Sequence, residues 1–158
     1  MKAAHFRILI AVVSILLLGC QNEQRTRPVP HRGTIEKEVK AQFDRLIAAV
    51  NEKDAEAWSR FYSQDAFISA IAGTDYYATR SAWVDTIAKH FSTRERQHVE
   101  PLQVRVTALA PDLALMTSEE KAEMWSKGEH AAQKHVFTML WKKEPAGWKI
   151  LHSHESYE

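Results

Sequence analysis

Three histidines near the C-terminus have the types and spacing for chemistry: His135, and the pair His152 and His154 with Ser153 between them. An unperturbed imidazole titrates near pH ~6.5 and can both give and take a proton, so His152 and His154 are the candidate catalytic acid–base groups. The competing reading is packing, with the rings hydrogen-bonded into the wall of a half-buried strand. His-x-His also sets two imidazoles on one side of a strand. With His135 they would supply most of a zinc shell, but no cysteine or placed carboxylate completes a tetrahedral set. Neither a metal nor a cofactor is expected.

These residues belong to two strands, about 135–143 and 148–157, joined by Glu144-Pro145-Ala146-Gly147. That tip pairs Lys143 with Trp148, and an unbroken ladder then sets Trp141 opposite Ile150, Met139 opposite His152 and Phe137 opposite His154. One face would carry His135, Phe137, Met139, Trp141, Trp148, Ile150, His152 and His154. Apolar residues mixed with imidazoles suit a concave ligand pocket, with His135, Phe137, Trp141 and Trp148 as binding residues. Leu140 and Leu151 fall on the other face, where they would form a dimer seam. Tyr62, Tyr76, Tyr77 and Trp83 are candidates for the pocket wall, or for core aromatics. Asp65 either accepts from a pocket imidazole or bonds its own turn.

Upstream, Thr34 can cap a helix whose apolar residues Ile35, Val39, Phe43, Leu46, Ile47 and Val50 make one stripe to about Asn51. Asp54 caps a short second helix bearing Trp58, Phe61 and Tyr62, and Thr79 opens a third with Trp83, Val84, Ile87 and Phe91 inward. Between the last two, 66–71 and 75–78 read as a hairpin. From Leu102 the period becomes two, with Leu102, Val104, Val106 and Ala108 alternating with polar residues, and Ala110-Pro111-Asp112 turns into a strand beginning at Leu113. Helices followed by a strand meander indicate an α+β layer with helices on one face of a curved antiparallel sheet.

The N-terminus is of another kind. Lys2, His5 and Arg7 precede the apolar run from Ile8 to Leu18, too short for the ~20 residues that span a bilayer and ordered like a signal peptide over 1–19. Leu17-Leu18-Gly19-Cys20 resembles the lipobox of bacterial lipoproteins, which implies lipidation of Cys20, the only cysteine. The chain is thus expected to be exported and held to a bacterial membrane by its lipid, facing the periplasm. Polar, proline-broken residues 20–33 read as a tether, and 34–158 as one domain. A net charge of +1 with interspersed signs lacks the basic face of a nucleic-acid binder. No Gly-rich phosphate loop and no Gly-x-Ser-x-Gly is present.

The element order, with Val50-Asn51-Glu52-Lys53-Asp54-Ala55-Glu56-Ala57-Trp58, Phe61-Tyr62-Ser63-Gln64-Asp65-Ala66 and Gly147-Trp148-Lys149-Ile150-Leu151-His152-Ser153-His154-Glu155-Ser156, resembles the SnoaL-like branch of the nuclear transport factor 2-like superfamily. The resemblance covers Ile35–Tyr157. It implies a cystatin-like cone, three helices packed on a curved antiparallel sheet and open at one end, often dimerising through the sheet. Activity does not follow, because the superfamily includes isomerases, cyclases, dehydratases and association domains. An apolar face with imidazoles and no recognisable nucleophile points first to a module that binds a small, partly apolar ligand. The alternatives are an isomerase- or dehydratase-like enzyme using His152 or His154, and a homodimeric interaction module.

Overall fold

The computed structural model describes residues 31–158, so the expectations for the signal peptide, Cys20 and nearly all of the tether lie outside the described residues. Helix α1 (Arg32–Asn51) buries Ile35, Val39, Phe43, Leu46 and Ala49, the stripe its spacing demands. It starts ahead of Thr34. The His31 ring, accepting from the Gly33 N–H, is the cap, so Arg32 and Gly33 are helical rather than part of a tether. Helix α2 (Ala55–Ser59) is capped by Asp54, whose carboxylate accepts from the Ala57 N–H at 2.8 Å. Strands β1 (Ser69–Ala72) and β2 (Asp75–Tyr77) form the expected hairpin, in shorter form. Helix α3 (Arg80–Thr93) is capped by Thr79 and buries Trp83 and Phe91.

Four long strands follow: β3 (Arg96–Ala110), β4 (Leu113–Ser126), β5 (Glu129–Glu144) and β6 (Gly147–Tyr157). The expected start of β3 at Leu102 is too late. A register shift between Pro101 and Gln103 reverses the parity of the strand, so that Gln97 and Val99 turn inward before it and Val104, Val106 and Ala108 after it. No single period of two spans that reversal. The turn from β4 to β5 uses Lys127 and Gly128, both at positive φ (53° and 78°), the conformation a two-residue hairpin turn requires.

The strands lie in the order β2-β1-β6-β5-β4-β3, a curved and unclosed sheet with β2 and β3 at its edges. Every pair is antiparallel except β1 with β6, which is parallel. The core lies between the helices and the concave face: Phe43 and Leu46 of α1, Trp58 of α2 and Trp83 of α3 pack with Met116, Met139, Trp141 and Ile150. Glu38 ties α1 to the last hairpin, accepting from Lys143 Nζ at 2.6 Å and Trp148 Nε1 at 2.8 Å, and the Lys143 bond leads in holding its carboxyl below the usual range.

The C-terminal end of α1 is fastened to β3 through side chains. Asn51 Nδ2 donates to the Val99 carbonyl at 3.1 Å, and its Oδ1 accepts from the Val99 N–H at 2.6 Å. Lys53 Nζ donates to the Arg94 carbonyl at 2.7 Å, and Gln97 Nε2 donates to the Val50 carbonyl. One amide thus satisfies both backbone groups that Val99 turns away from β4. Replacing Asn51 with Ala orphans both, and should lower the unfolding free energy by about 1–3 kcal/mol in urea titration. An unchanged midpoint would mean that water replaces the amide at no cost.

Candidate functional site

The site is decided by one irregularity in the last hairpin. Pairing runs as expected from Lys143↔Trp148 to Trp141↔Ile150, then shifts, so that Leu140 faces His152, Met139 faces Ser153, Phe137 faces Glu155 and His135 faces Tyr157. Leu151 is the extra residue. Beyond a one-residue bulge every side chain changes face. His152 and His154 therefore leave the concave face, and Ser153, Glu155 and Tyr157 replace them, correcting the expectation that both imidazoles look into the pocket. His152 Nδ1 lies 2.9 Å from Ser69 Oγ and 3.1 Å from the Ser69 carbonyl, a structural contact with β1, and His154 is exposed. Leu151, placed on an outer seam by the unbroken register, is only 7% exposed within the single chain.

The bulge falls where β6 changes partner on its other edge. Ile150 exchanges backbone bonds with the end of the α2 segment, donating to Phe61 and accepting from Ser63, while the Leu151 carbonyl accepts from Ile68. From His152 onward the partner is β1, in parallel register. Two neighbours of different phase meet along one strand, and the surplus residue absorbs the mismatch.

Helices and sheet enclose a cavity of about 300 Å³. Phe43, Leu46 and Ile47 of α1, Trp58, Tyr62, and Trp83, Ile87 and Phe91 of α3 form one wall; Ala122 and Met124 of β4 and Phe137 and Met139 of β5 form the other. Of the expected binding residues, Tyr62, Trp83, His135 and Phe137 line it. Trp141 and Trp148 are instead buried core, and Tyr76 is 66% exposed while its neighbour Tyr77 faces the cavity. Adjacent residues of a strand point oppositely, so the Tyr76 assignment failed by one position. Asp65 is exposed in its turn and contributes nothing to the cavity.

Polar groups gather at one side of this apolar space. His135 Nδ1 lies 2.6 Å from Glu155 Oε1, and its Nε2 lies 3.2 Å from Gln133 Oε1. Glu120, 2% exposed, accepts from Ser118 Oγ at 2.7 Å. Burial, helped by the nearby Glu155 charge, pushes the Glu120 carboxyl up to about 7 against the opposing pulls of Ser118 and His135. Burial likewise raises the Tyr62 phenol to about 12, although its hydroxyl donates to Ser153 Oγ at 3.3 Å. His90, at the end of α3, is pushed down by burial and then by the Arg94 charge. The Glu155 charge contributes to the shift of each of Glu120, Tyr62, His90 and Arg94, which makes it the common electrostatic partner of the cavity. The Nε1 atoms of Trp83 and Trp141 are buried without a hydrogen-bond partner among the described residues. Among the described residues no group of three or more His, Cys, Asp or Glu could hold a metal ion.

Glu120, Glu155 and Arg94 were not foreseen as site residues. Glu120 carried a legible signal: Ala114, Met116, Ser118, Glu120, Ala122 and Met124 share one parity, and a carboxyl in such an inward row is a functional candidate. Glu155 required the bulge.

The SnoaL-like domain family matches residues 39–158 of the chain. No curated protein is significantly similar in sequence. Among solved structures, a nuclear transport factor 2-like protein of Streptomyces avermitilis, described as a candidate dehydratase, is similar at TM-score 0.71 and 21% identity over 78% of this chain and 96% of its own. A nuclear transport factor 2-like superfamily protein of Salmonella enterica is similar at TM-score 0.71 and 14% identity, over 78% and 91%. A Caulobacter vibrioides protein with a cystatin-like fold gives TM-score 0.67 and 16% identity, over 77% and 88%. At these identities the likeness concerns the fold.

The raised Glu120 carboxyl has a consequence for stability. In the unfolded chain it ionises near its ordinary value of 4.5, whereas in the fold it holds its proton to about 7. Between those values the folded state binds more protons, so stability falls as pH rises across the window and levels off above it. The total is up to about 3 kcal/mol. Glu120→Gln should therefore flatten the decline in thermal midpoint between pH 5 and pH 8. A wild-type midpoint that does not fall, or a variant that falls equally, would show that Glu120 ionises normally.

Proposed function

The chain belongs to the SnoaL-like domain family, and we propose that it holds a small, partly apolar molecule in the cone, oriented by the His135–Glu155 pair and by Glu120. The observation that carries this reading is the convergence of three ionisable side chains on a cavity of about 300 Å³ with largely apolar and aromatic walls. That volume is at the small end of pockets that take drug-sized ligands. Trp58 and Trp83 stand in the wall, so indole emission reports occupancy.

A second reading, an isomerase- or dehydratase-like enzyme, is favoured by Glu120 alone. A carboxyl pushed up to about 7 can give and take a proton near neutral pH. In that case acid–base work passes from His152 and His154 to Glu120 and His135, the groups on the cavity. Glu120→Gln and His135→Ala would abolish turnover while leaving binding, and His152→Ala would leave both. Loss of binding without any detectable turnover favours the first reading.

The cellular setting is a further part of the proposal. We propose an exported lipoprotein, anchored through Cys20 and facing the periplasm, on the strength of the basic, apolar and Leu17-Leu18-Gly19-Cys20 pattern. Homodimerisation through the convex face is supported by Val136, 46% exposed, on the same face of the sheet as the half-buried Leu140 and Leu115. Leu151 has no part in that seam.

Two outcomes are expected. Ala122 lines the cavity and is 1% exposed, so Ala122→Phe should fill the space and reduce affinity for small aromatic ligands at least about tenfold in fluorescence titration, with overpacking costing about 1–3 kcal/mol. Undiminished binding would place the ligand elsewhere. Cys20→Ala should move the protein from the membrane to the soluble fraction, where sedimentation should find two chains per particle. Retention in the membrane would defeat the anchor, and a monomer at micromolar concentration the seam.

A further inference from the structure

The cavity has one cationic side chain whose charge is not matched by an ion pair. Arg94 lines it where α3 gives way to β3, and its Nη1 donates to Gln97 Oε1 at 2.7 Å. Among the described residues no carboxylate lies within ion-pair distance of it. The guanidinium is held rather than free. Gln97 is 4% exposed, and its Nε2 is committed to the Val50 carbonyl at the end of α1, which fixes the amide with its oxygen toward Arg94. The Arg94 backbone is fastened by Lys53. A half-buried guanidinium carrying one neutral hydrogen bond has lost hydration, and the Glu155 charge acts on it without an ion-pair contact to replace that loss.

Of the carboxylates lining the cavity, neither Glu155 nor Glu120 is free to pair with it directly. Glu155 is engaged by His135 at 2.6 Å, and Glu120 sits in an environment that favours its neutral form. We infer that Arg94 anchors a carboxylate of the bound molecule, so that the ligand class is a small monocarboxylic acid with an apolar body lying among Phe43, Trp58, Trp83 and Phe137. The planar fork of a guanidinium matches the two oxygens of a carboxylate. A phosphate ester would bring a second negative charge to a single cation, beside the Glu155 and Glu120 carboxyls. This inference rests on the cavity being a ligand site and adds the chemical identity of what fills it.

The test uses a matched pair of probes, phenylbutyrate and its amide phenylbutyramide, which share an apolar body and differ in charge. Both are titrated into the full-length protein with indole fluorescence as readout. The wild type should bind the carboxylate at least about tenfold more tightly, as a charge-assisted hydrogen bond predicts. Arg94→Gln should erase that preference while leaving amide affinity within about twofold, which also certifies that the variant is folded; Arg94→Lys should keep part of it. Equal binding of the two probes by the wild type, or a preference that survives Arg94→Gln, overturns the inference and leaves the pocket reading standing. Binding of neither probe overturns both.

Discussion

One surplus residue in β6 sets what the cavity contains. Without Leu151 as an insertion, the ladder begun at Lys143↔Trp148 would carry His152 and His154 inward and Glu155 outward. With it, the concave face receives Ser153, Glu155 and Tyr157. Tyr62 gains a hydroxyl partner, His135 gains a carboxylate, and Glu120 gains a like charge that helps keep it protonated. The bulge is imposed by the neighbours of β6 on its far edge, so the chemistry of the site depends on how the backbone from Phe61 to Ser63 and strand β1 pair with β6.

The consequences are electrostatic as much as steric. His135 and Glu155 have side chains 13% and 14% exposed, in surroundings where an unmatched charge costs several kcal/mol. They lie in direct contact, Nδ1 to Oε1 at 2.6 Å. Glu120 meets the same constraint differently, by staying neutral over part of the physiological range, and Arg94 meets it through an amide that is itself pinned to α1. Three solutions to one desolvation problem, within one cavity, give the site a mixed and adjustable charge.

Local patterns were readable and non-local ones were not. The stripe of α1, the caps at Asp54 and Thr79, and the inward residues His135, Phe137, Met139 and Trp141 follow from periodicity and cap chemistry within a few residues. The histidine assignments failed because register beyond Trp141 depends on Phe61–Ser63 and β1, more than 80 positions away by the separation of Ser69 from His152. The Pro101 shift hid the first part of β3 in the same manner, since a period of two cannot be followed through a change of parity. Bulges thus account for the errors in both β6 and β3.

Strand β3 is long and lies at the edge of the sheet, where backbone N–H and C=O groups invite another chain to pair. The fold covers the first half of that edge itself: Asn51 occupies both groups of Val99, and Pro101 has no N–H to offer. Helix α1 is therefore a guard as well as a wall. Were its last turn to fray, the stretch from Arg96 to Pro101 would become a template for strand addition, and self-association along β3 would compete with the native packing of the helix. The Asn51 side chain that ties α1 to the sheet also occupies the edge at which another strand would add.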